Sequence, residues 1–489
     1  MSTQTASTGL DAFHEKTKTQ TGFIGHPWGL AWLSASEFWE RFCYYGVQSL
    51  LVLYLIHYLL QPGHVEQVWG FETFRNFLTD VYRSVYTVFH GAQYAAAHTT
   101  PAAMQMALAS NTAQLYAAFV YTTPLIGGYL ADRVIGRTFT VALGATIMVV
   151  GTFLLAFNQT FLVALVLLLI GTGCFKANIA AQVGDLYKID DPRRADGFYI
   201  YYLGIQLAVI PSPLICGWLG QSVDWHFGFL AAGVGMVCAL AIYLAGRKNF
   251  PPEPRSQIEK QEARPPLTGR DWMVVGVLVA LLVPFAVSIT TNQEIFDAYL
   301  TWGEKNYQLT FFGVTFPTTT LVSFDAFIST GTMIGVIFFW RWYAKHWREP
   351  TEIAKIVVGV MISTLAPLVL VGASSYAAAT GAKVTLVWAL AFHLLNDIGF
   401  GMTLPMGLSL YSRAAPKGWG GTMIAVYYIQ LFMGNLIVGP LGGLYGSMKD
   451  TSFWMLHVYL MAGAAVVLLL AKLAFGHLLA PSNDKPAAA

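Results

Sequence analysis

Twelve apolar stretches, each long enough to cross a lipid bilayer as a helix, recur along the whole chain. A spanning helix needs about 20 mainly apolar residues. The stretches lie at 28–60, 112–132, 138–158, 160–186, 197–221, 226–247, 272–302, 319–342, 353–376, 384–411, 419–446 and 452–480. They are continuous rather than alternating, which excludes a β-barrel. Only 11% of the 489 residues are charged, whereas soluble proteins carry about 25%. The sequence therefore predicts an all-α polytopic membrane protein with twelve transmembrane helices.

A charged, proline-rich segment divides the predicted spans into six and six. Residues 248–271 cannot pack in lipid and are typical of an interdomain linker. We therefore predict an N-terminal bundle at 28–247 and a C-terminal bundle at 272–480, with tails at 1–27 and 481–489. Two six-helix bundles joined in this way resemble the major facilitator architecture. There, substrate binds between the halves near the midplane, and alternating access moves one half against the other.

Positive charge is concentrated in the linker and in the loops after the second, fourth, eighth and tenth predicted spans. Such loops remain on the cytoplasmic side, which predicts a plasma (inner) membrane protein with both termini in the cytoplasm. The first 26 residues contain no apolar core, so we expect no cleavable signal peptide. The net charge of +2 gives no indication of nucleic acid binding, and the four cysteines are expected to fill space inside helices.

Residues 63–110 form an unusual insertion between the first two predicted spans. Apolar residues recur at helical spacing from Phe74 onward, but Arg75, Asp80 and Arg83 interrupt them. This pattern is too charged to span a membrane and predicts an external amphipathic helix or hairpin. A packing role is favoured over a gating role.

Three ionisable residues lie inside the first predicted span. Translocon scales assign Asp, Lys or Arg at mid-membrane a cost of about 2.5–3.5 kcal/mol each. Glu37, Glu40 and Arg41 are spaced i, i+3, i+4 and therefore share one helix face. One Glu and one Arg would form a structural ion pair. The second Glu leaves a negative charge unless it binds a proton or a cation, so a functional role is favoured.

Two further signals lie in the second and fourth predicted spans. The motif Gly127-Gly-Tyr-Leu-Ala-Asp132-Arg133-Val-Ile-Gly-Arg137 ends the second span, and Asp132 with Arg133 is predicted to form an exchangeable, gating ion pair. Lys176 lies near the middle of the fourth span with no neutralising residue nearby in sequence. Its partner is therefore expected to come from another helix or from a bound anion.

Four motifs occur in a characteristic order along the chain. They are Glu37-x-x-Glu40-Arg41, the motif that contains Asp132-Arg133, Gly173-x-x-Lys176-x-Asn178, and the segment from Asp196 to Gln206. Together they resemble the proton-dependent oligopeptide transporter family, and the resemblance extends from the first span to Leu404–Ser409 and Pro416. It implies proton coupling through Glu37, Glu40 and Arg41. It also implies that Arg41 and Lys176 bind the carboxylate of a peptide.

The resemblance implies further substrate contacts, but several positions depart from the family pattern. Tyr45, Tyr121 and Tyr427 match pocket-lining positions. Gln48 stands where many members have arginine, Gln206 replaces an asparagine, and the glutamate of the seventh span falls at Gln293-Glu294. Phe400 replaces the glutamate that meets the peptide amino group. The remaining departures are new acids, which are Asp297, Asp325 and Asp397.

The new acids offer a replacement for the missing glutamate. Asp325 is the first choice for the amino end, because its position already faces the pocket in the family, and Asp397 is the alternative. His393 and Asp397 are spaced i, i+4, which permits either a proton relay or a satisfied helix pair. The linker is too short to hold the two extra helices that are common in bacterial members.

These observations predict a symporter that couples inward proton flow to the uptake of small peptides or peptide-like solutes. The expected partners are the substrate, protons and membrane lipid, with no nucleic acid, no cofactor, no metal and a functional monomer. The alternative is a transporter of the same type for a non-peptide organic anion or an amino-acid-like solute. A membrane enzyme is disfavoured, since the sequence shows no metal-ligand cluster, phosphate loop or nucleophile elbow. A non-transporting sensor is a third possibility.

Overall fold

The structure of the protein, a computed structural model, describes residues 12–90, 100–188, 191–252, 267–416 and 419–479. Almost all of the regular structure is helical. The helices are α1 Trp28–Tyr54, α2 Phe71–His90, α3 Pro101–Phe119, α4 Thr123–Leu130, α5 Arg137–Leu154, α6 Phe161–Asp185, α7 Arg193–Val209, α8 Pro211–Trp218, α9 Trp225–Gly246, α10 Gly269–Ser288, α11 Thr290–Gln293, α12 Ala298–Asn306, α13 Thr320–His346, α14 Glu352–Thr380, α15 Leu386–Ala414, α16 Gly420–Leu444 and α17 Asp450–Leu479.

Eleven segments of the described chain are helical, long enough and apolar enough to cross a membrane. They match the predicted spans except for the second, 112–132. There, α3 begins at Pro101 and ends at Phe119, and α4 begins at Thr123 with proline in its first turn. The last ten residues of the predicted insertion 63–110 therefore belong to a helix. The new helix begins here for a local reason, because Pro124 in the first turn of α4 supports a helix start.

The seventh predicted span, 272–302, is interrupted. It consists of α10, the short α11, a 3₁₀ turn at Glu294–Phe296, and α12. Asp297 has φ −135° and ψ −116°, outside the helical region, and this residue ends the turn. The five residues from Thr290 to Glu294 are all polar, and the predicted span was drawn across them. A two-stranded antiparallel hairpin, β1 Thr310–Phe311 and β2 Val314–Thr315, follows α12.

The chain divides into two compact units. Unit 1 comprises Met1–Asn76, Phe119–Lys260 and Phe316–Ser323, and unit 2 comprises Phe77–Ala118, Gln261–Thr315 and Phe324–Ala489. Helix α3 therefore groups with the C-terminal helices, whereas the predicted N-terminal bundle included it. The predicted tails at 1–27 and 481–489 and the linker fall partly or wholly outside the described residues, as does part of the insertion, at 91–99.

Arg193, at the start of α7, holds the N-terminal segment of unit 1 in place. Its guanidinium donates to the backbone oxygens of Gln20 and Gly25 at 3.1 and 3.3 Å. It also pairs with Asp191 at 2.9 Å. The hydrogen bond from Arg193 holds the pKa of Asp191 below its usual value. The contribution of this ion pair to the stability of the fold is therefore complete above about pH 4. It is lost as the pH falls through the lowered pKa of Asp191.

We expect Arg193→Ala to release the N-terminal segment, because the backbone oxygens of Gln20 and Gly25 lose a charged donor. Trypsin should then cleave after Lys18 at least several-fold faster in intact membranes at pH 7. The control is Arg270→Ala, since Arg270 is exposed at the start of α10. Equal cleavage rates in both variants would show that Arg193 does not hold the segment.

Candidate substrate and proton sites

The three ionisable residues of α1 form one buried cluster in unit 1. Arg41 Nε donates to Glu37 Oε1 at 2.9 Å and lies 2.6 Å from Glu40 Oε2. All three side chains are almost completely buried. Among the described residues, Glu37 Oε2, both oxygens of Glu40, and Arg41 Nη2 have no hydrogen-bond partner. One buried cation therefore faces two buried carboxylates, as the i, i+3, i+4 spacing predicted, and the cluster retains polar atoms that can bind a proton or a substrate group.

Neighbouring residues orient this cluster. The Arg41 guanidinium lies over the ring of Tyr44, 5.4 Å from its centroid. Ser36 donates to the backbone oxygen of Ala239 at 2.9 Å and so fixes α1 to α9. Tyr45 is half-buried one residue further on. Gln48 is buried, and its Oε1 has no hydrogen-bond partner among the described residues. Each of these substrate-contact assignments stays a prediction.

Lys176 lies on α6 in unit 1 and is half-buried. Its Nζ lies 4.8 Å from the centroid of the Tyr121 ring, a cation–π contact. No carboxylate within the described ranges lies within ion-pair distance of it. Tyr121 stands in the short interruption between α3 and α4, so this break places the ring against the cation. The resulting pair offers a positive group that forms no ion pair with any described carboxylate.

Close helix packing supports the position of Lys176. A Cβ on Gly127 would lie 2.0 Å from the backbone oxygen of Gly173, so only glycine fits between α4 and α6. Asn178 donates to the backbone oxygens of Gly127 and Cys174 at 3.1 and 2.8 Å. The Gly127 and Gly173 positions of the two motifs therefore meet in the structure, as small residues at helix interfaces do.

We expect Gly127→Ala to destabilise the protein by about 1–3 kcal/mol, because the added methyl group overlaps backbone that cannot move aside. The adjacent Gly128→Ala is the matched control, since nothing lies within 4 Å of its added Cβ. Thermal unfolding followed by tryptophan fluorescence in detergent measures the difference. Equal melting temperatures for the two variants would contradict the close contact.

The predicted ion pair between Asp132 and Arg133 is wrong. Asp132 accepts a hydrogen bond from Arg137 Nε at 3.1 Å, and Arg137 also pairs with Asp185 at the end of α6. Arg133 is exposed and forms no ion pair with any described residue. Adjacent residues on a helix do not face each other. Gly136, at φ +82°, turns the chain so that Arg137 returns toward Asp132. A gating role for Asp132 and Arg133 stays a prediction.

A second ionisable cluster lies in unit 2. His393 Nδ1 on α15 lies 2.6 Å from Asp325 Oδ1 on α13. One ligand atom each from Asp325, His393 and Asp397 lies within 4.8 Å of the other two. His393 and Asp397 are buried, and 15% of the Asp325 side chain is exposed. The sequence indicated the pairing of His393 with Asp397 but not the approach of Asp325, which lies far away in sequence.

A third group of buried ionisable residues surrounds the interruption after α11. Glu294 Oε1 lies 3.1 Å from His457 Nε2, and both residues are completely inaccessible. Glu294 Oε2 also accepts from the backbone N–H of Ala298. Asp297 Oδ2 accepts from Ser110 Oγ at 2.5 Å. Sequence analysis missed His457, although a histidine within an apolar span is itself a signal of a specific partner.

The other predicted contact residues occupy different environments. Gln206 and Phe400 are half-buried, and Gln293 donates to Asn292 at 3.1 Å. Tyr427 lies in the hydrophobic core of unit 2, against Phe285. Its hydroxyl donates to the backbone oxygen of Leu404 at 3.3 Å. This position favours a packing role for Tyr427, and its predicted contact with substrate remains untested.

Comparison with known proteins finds similarity to peptide transporters. The sequence profile described as the POT family matches residues 138–264. The chain is 26% identical over 521 residues to a di-/tripeptide transporter of Lactococcus lactis subsp. lactis (strain IL1403), covering 93% of this chain and 97% of that protein. It is also 26% identical over 523 residues to the peptide transporter YePEPT of Yersinia enterocolitica, covering 92% and 94%. The chain is therefore similar to peptide transporters over most of its length, and to the POT family profile over residues 138–264.

Solved structures of POT family transporters share the fold of this chain. It aligns with a peptide transporter POT in complex with alafosfalin at a TM-score of 0.78 and 23% identity, covering 96% of this chain and 99% of that one. A POT family transporter in complex with 5-aminolevulinic acid aligns at a TM-score of 0.74 and 21% identity, covering 94% and 98%. The predicted major facilitator fold is confirmed, and the chain is an integral membrane protein.

Proposed function

We propose that the protein is a proton-coupled symporter that imports di- or tripeptides, or peptide-like solutes, by alternating access. The observation that carries this proposal is the buried cluster of α1, in which two carboxylates face one arginine. An uncompensated buried carboxylate costs several kcal/mol, and binding a proton removes that cost. Relatives named as di-/tripeptide or peptide transporters support the substrate class.

The charge of each side chain suggests its role in the proposed transport cycle. Glu37 and Glu40 would bind the proton, while Arg41 and Lys176 would bind the carboxylate of the substrate. Lys176 suits this role because its Nζ lies over the Tyr121 ring and has no carboxylate within ion-pair distance among the described residues. In unit 2, Asp325 or Asp397 would bind the ammonium group that Phe400 can meet only through a weaker cation–π contact. The partly exposed side chain of Asp325 keeps it the first choice.

The remaining parts of the proposal concern location and assembly. Both termini would lie in the cytoplasm of a plasma (inner) membrane, since the lysine- and arginine-rich loops lie on that side. The N-terminal segment contacts Arg193 at the start of α7, as expected if both lie on the same side of the membrane. The protein would act as a monomer in lipid, would require no cofactor besides protons, and would release its substrate chemically unchanged, which distinguishes it from an enzyme.

One observation favours a second candidate. A POT family transporter of the same fold was solved in complex with 5-aminolevulinic acid, which is an amino-acid-like solute rather than a peptide. The replacement of a glutamate by Phe400 also weakens the case for a free peptide amino terminus. The alternative is therefore a proton-coupled transporter of an amino-acid-like solute or organic anion.

Uptake into proteoliposomes with an imposed pH gradient tests the proposal. We expect the purified protein to accumulate a labelled dipeptide only when the outside is more acidic, and we expect chromatography to recover the dipeptide intact. Counterflow against amino acids, organic anions and N-acetylated dipeptides then assigns the substrate class. Absence of accumulation for every solute would contradict the transport function, and a chemically altered solute would indicate an enzyme.

A further inference from the structure

Asp297, at the interruption before α12, has a buried carboxyl group to which the proposed transport cycle gives no role. Its side chain is completely inaccessible. Its Oδ1 has no hydrogen-bond partner among the described residues, and no described cation lies within ion-pair distance of the carboxyl group. An ionised carboxylate is strongly unfavourable in such a position, because nothing replaces the water that it has lost. The environment of Asp297 therefore favours a neutral, protonated carboxyl group.

The carboxyl group lies where α3 packs closely against α16. A Cβ added to Gly446 would lie 2.8 Å from the Cα of Ala103, and a Cβ added to Gly442 would lie 2.5 Å from Ser110 Oγ. The same Cβ on Gly442 would lie 2.8 Å from Asp297 Oδ2. Helices approach this closely where one of them lacks side chains. Asp297 is therefore enclosed by the contact of the two helices, and their separation would expose its carboxyl group to water.

The hydrogen bonds of Ser110 require one more hydrogen than the serine itself provides. Ser110 Oγ lies 2.5 Å from Asp297 Oδ2 and 2.7 Å from the backbone oxygen of Gly439. Two oxygen atoms at these distances need a hydrogen between them, because their lone pairs otherwise repel. A serine hydroxyl has one hydrogen, and a backbone oxygen has none. A proton on Asp297 supplies the second hydrogen, and the broken segment, α3 and α16 are then joined through Ser110.

The charges around Asp297 favour the same proton. The ionisable group that faces it is Glu294 on the preceding turn, and Glu294 pairs with His457 of α17. Helix α3 presents Ser110 and Gln114, neither of which ionises in the ordinary pH range. Helix α16 presents glycine at this point. An ionised Asp297 would therefore add a second buried carboxylate beside Glu294, with no described cation of its own.

We propose that Asp297 is a proton-binding residue of the transporter, and that α3 packs against α16 only while Asp297 holds a proton. Because the predicted orientation places the start of α3 outside, external water supplies this proton to the carboxylate as the contact forms. The carboxyl group ionises and returns the proton to water when the helices separate. The inference rests on the proposed proton-coupled symport and adds a proton-dependent step to its alternating access. The site is distinct from the α1 cluster, which belongs to unit 1.

The accessibility of a cysteine in α3 reports whether the two helices have separated. Met106 is buried, and its Cβ lies 3.1 Å from a Cβ added to Gly446, so Met106→Cys places a smaller side chain in the contact. A membrane-impermeant maleimide added outside proteoliposomes should label this cysteine only when α3 leaves α16. Cys238→Ser removes the partly exposed native cysteine, and the other three are buried. Phe312→Cys, fully exposed between β1 and β2, gives the pH dependence of the labelling reaction itself.

We expect the labelling rate of Met106→Cys, relative to that of Phe312→Cys, to rise by up to about tenfold per pH unit between about pH 6 and pH 8. The rise follows because one proton is released as the contact opens. In Asp297→Asn the amide stays neutral and can donate to Ser110, so the relative rate should stay low at both pH values. Asp80→Asn, exposed in α2, is the matched control and should keep the wild-type rise.

Infrared spectroscopy of the reconstituted protein detects the neutral carboxyl group directly and needs no added cysteine. We expect the wild-type spectrum at about pH 6 to contain the carbonyl band of a protonated carboxyl group that is missing in Asp297→Asn. The same band should be unchanged in Asp80→Asn, because an exposed aspartate is ionised at about this pH.

Three outcomes would overturn the inference. They are identical carbonyl bands in wild type and Asp297→Asn, a relative labelling rate that does not change with pH when Asp297 is intact, and a rise in Asp297→Asn as large as with the native residue. Neither measurement requires transport. A wild-type protein that accumulates no solute would therefore overturn the symport, and the labelling and infrared results would still decide whether Asp297 binds a proton.

Discussion

Replacing Glu40 by Gln is expected to abolish accumulation driven by a pH gradient while exchange of substrate at equal pH survives. Glu40 is completely buried, and its Oε2 lies 2.6 Å from Arg41 Nε. Neither of its oxygens has a hydrogen-bond partner within the described part of the chain. Gln keeps the shape but cannot bind or release a proton. The carrier could then still change conformation with substrate bound, but it could not use the proton gradient.

The measurement compares two assays on the same proteoliposomes. Gradient-driven uptake of a labelled dipeptide should fall to the level of protein-free vesicles, and counterflow should remain within a few-fold of wild type. Glu72→Gln, exposed in the first turn of α2, serves as the control and should retain both activities. The same pair of assays applied to Glu37→Gln tests the second carboxylate. Full accumulation in both the Glu37 and the Glu40 variant would exclude α1 as the coupling site.

Replacing Lys176 by Ala is expected to weaken substrate binding by about 2–5 kcal/mol, or about 30- to 4,000-fold. The loss arises because the carboxylate of the substrate would be desolvated without its cation. Lys176 has no protein anion within ion-pair distance among the described residues, and its Nζ contacts Tyr121. Removal of the side chain therefore leaves no described carboxylate without an ion-pair partner, and a loss of affinity can be attributed to the substrate contact.

A dipeptide and its C-terminal amide separate the binding role from a structural one. The dissociation constant of the free acid should rise sharply in Lys176→Ala, whereas that of the amide should change little. Lys345→Ala, at the exposed end of α13, is the control for loss of a positive charge. Equal losses for acid and amide would contradict the assignment of Lys176 to the carboxylate.

The sequence predicted local arrangements well, because they depend on helical periodicity alone. Glu37, Glu40 and Arg41 lie on one turn of one helix, and the structure brings their side chains together as the spacing requires. The pairing of Asp132 was predicted incorrectly. It depends on the positive φ of Gly136, which redirects the chain after α4. Arg137 rather than Arg133 therefore contacts Asp132.

Contacts between distant segments could not be predicted. The approach of Asp325 to His393 depends on the packing of α13 against α15. The composition of the two helices does not predict this packing. The interruption at Asp297 was less hidden, since the five residues from Thr290 to Glu294 before it are all polar. The residues that stabilise the broken segment, Ser110 and His457, come from helices far away in sequence.

The contact between His457 and Glu294 has a consequence for the order in which the protein is built. His457 Nδ1 donates to the backbone oxygen of Phe453, so a neutral ring leaves Nε2 without a hydrogen. The 3.1 Å contact of Nε2 with Glu294 therefore requires a proton held by the pair. Glu294 is translated long before its partner and lies in an apolar span. Glu294 therefore gains its histidine partner only after α17 has been synthesised.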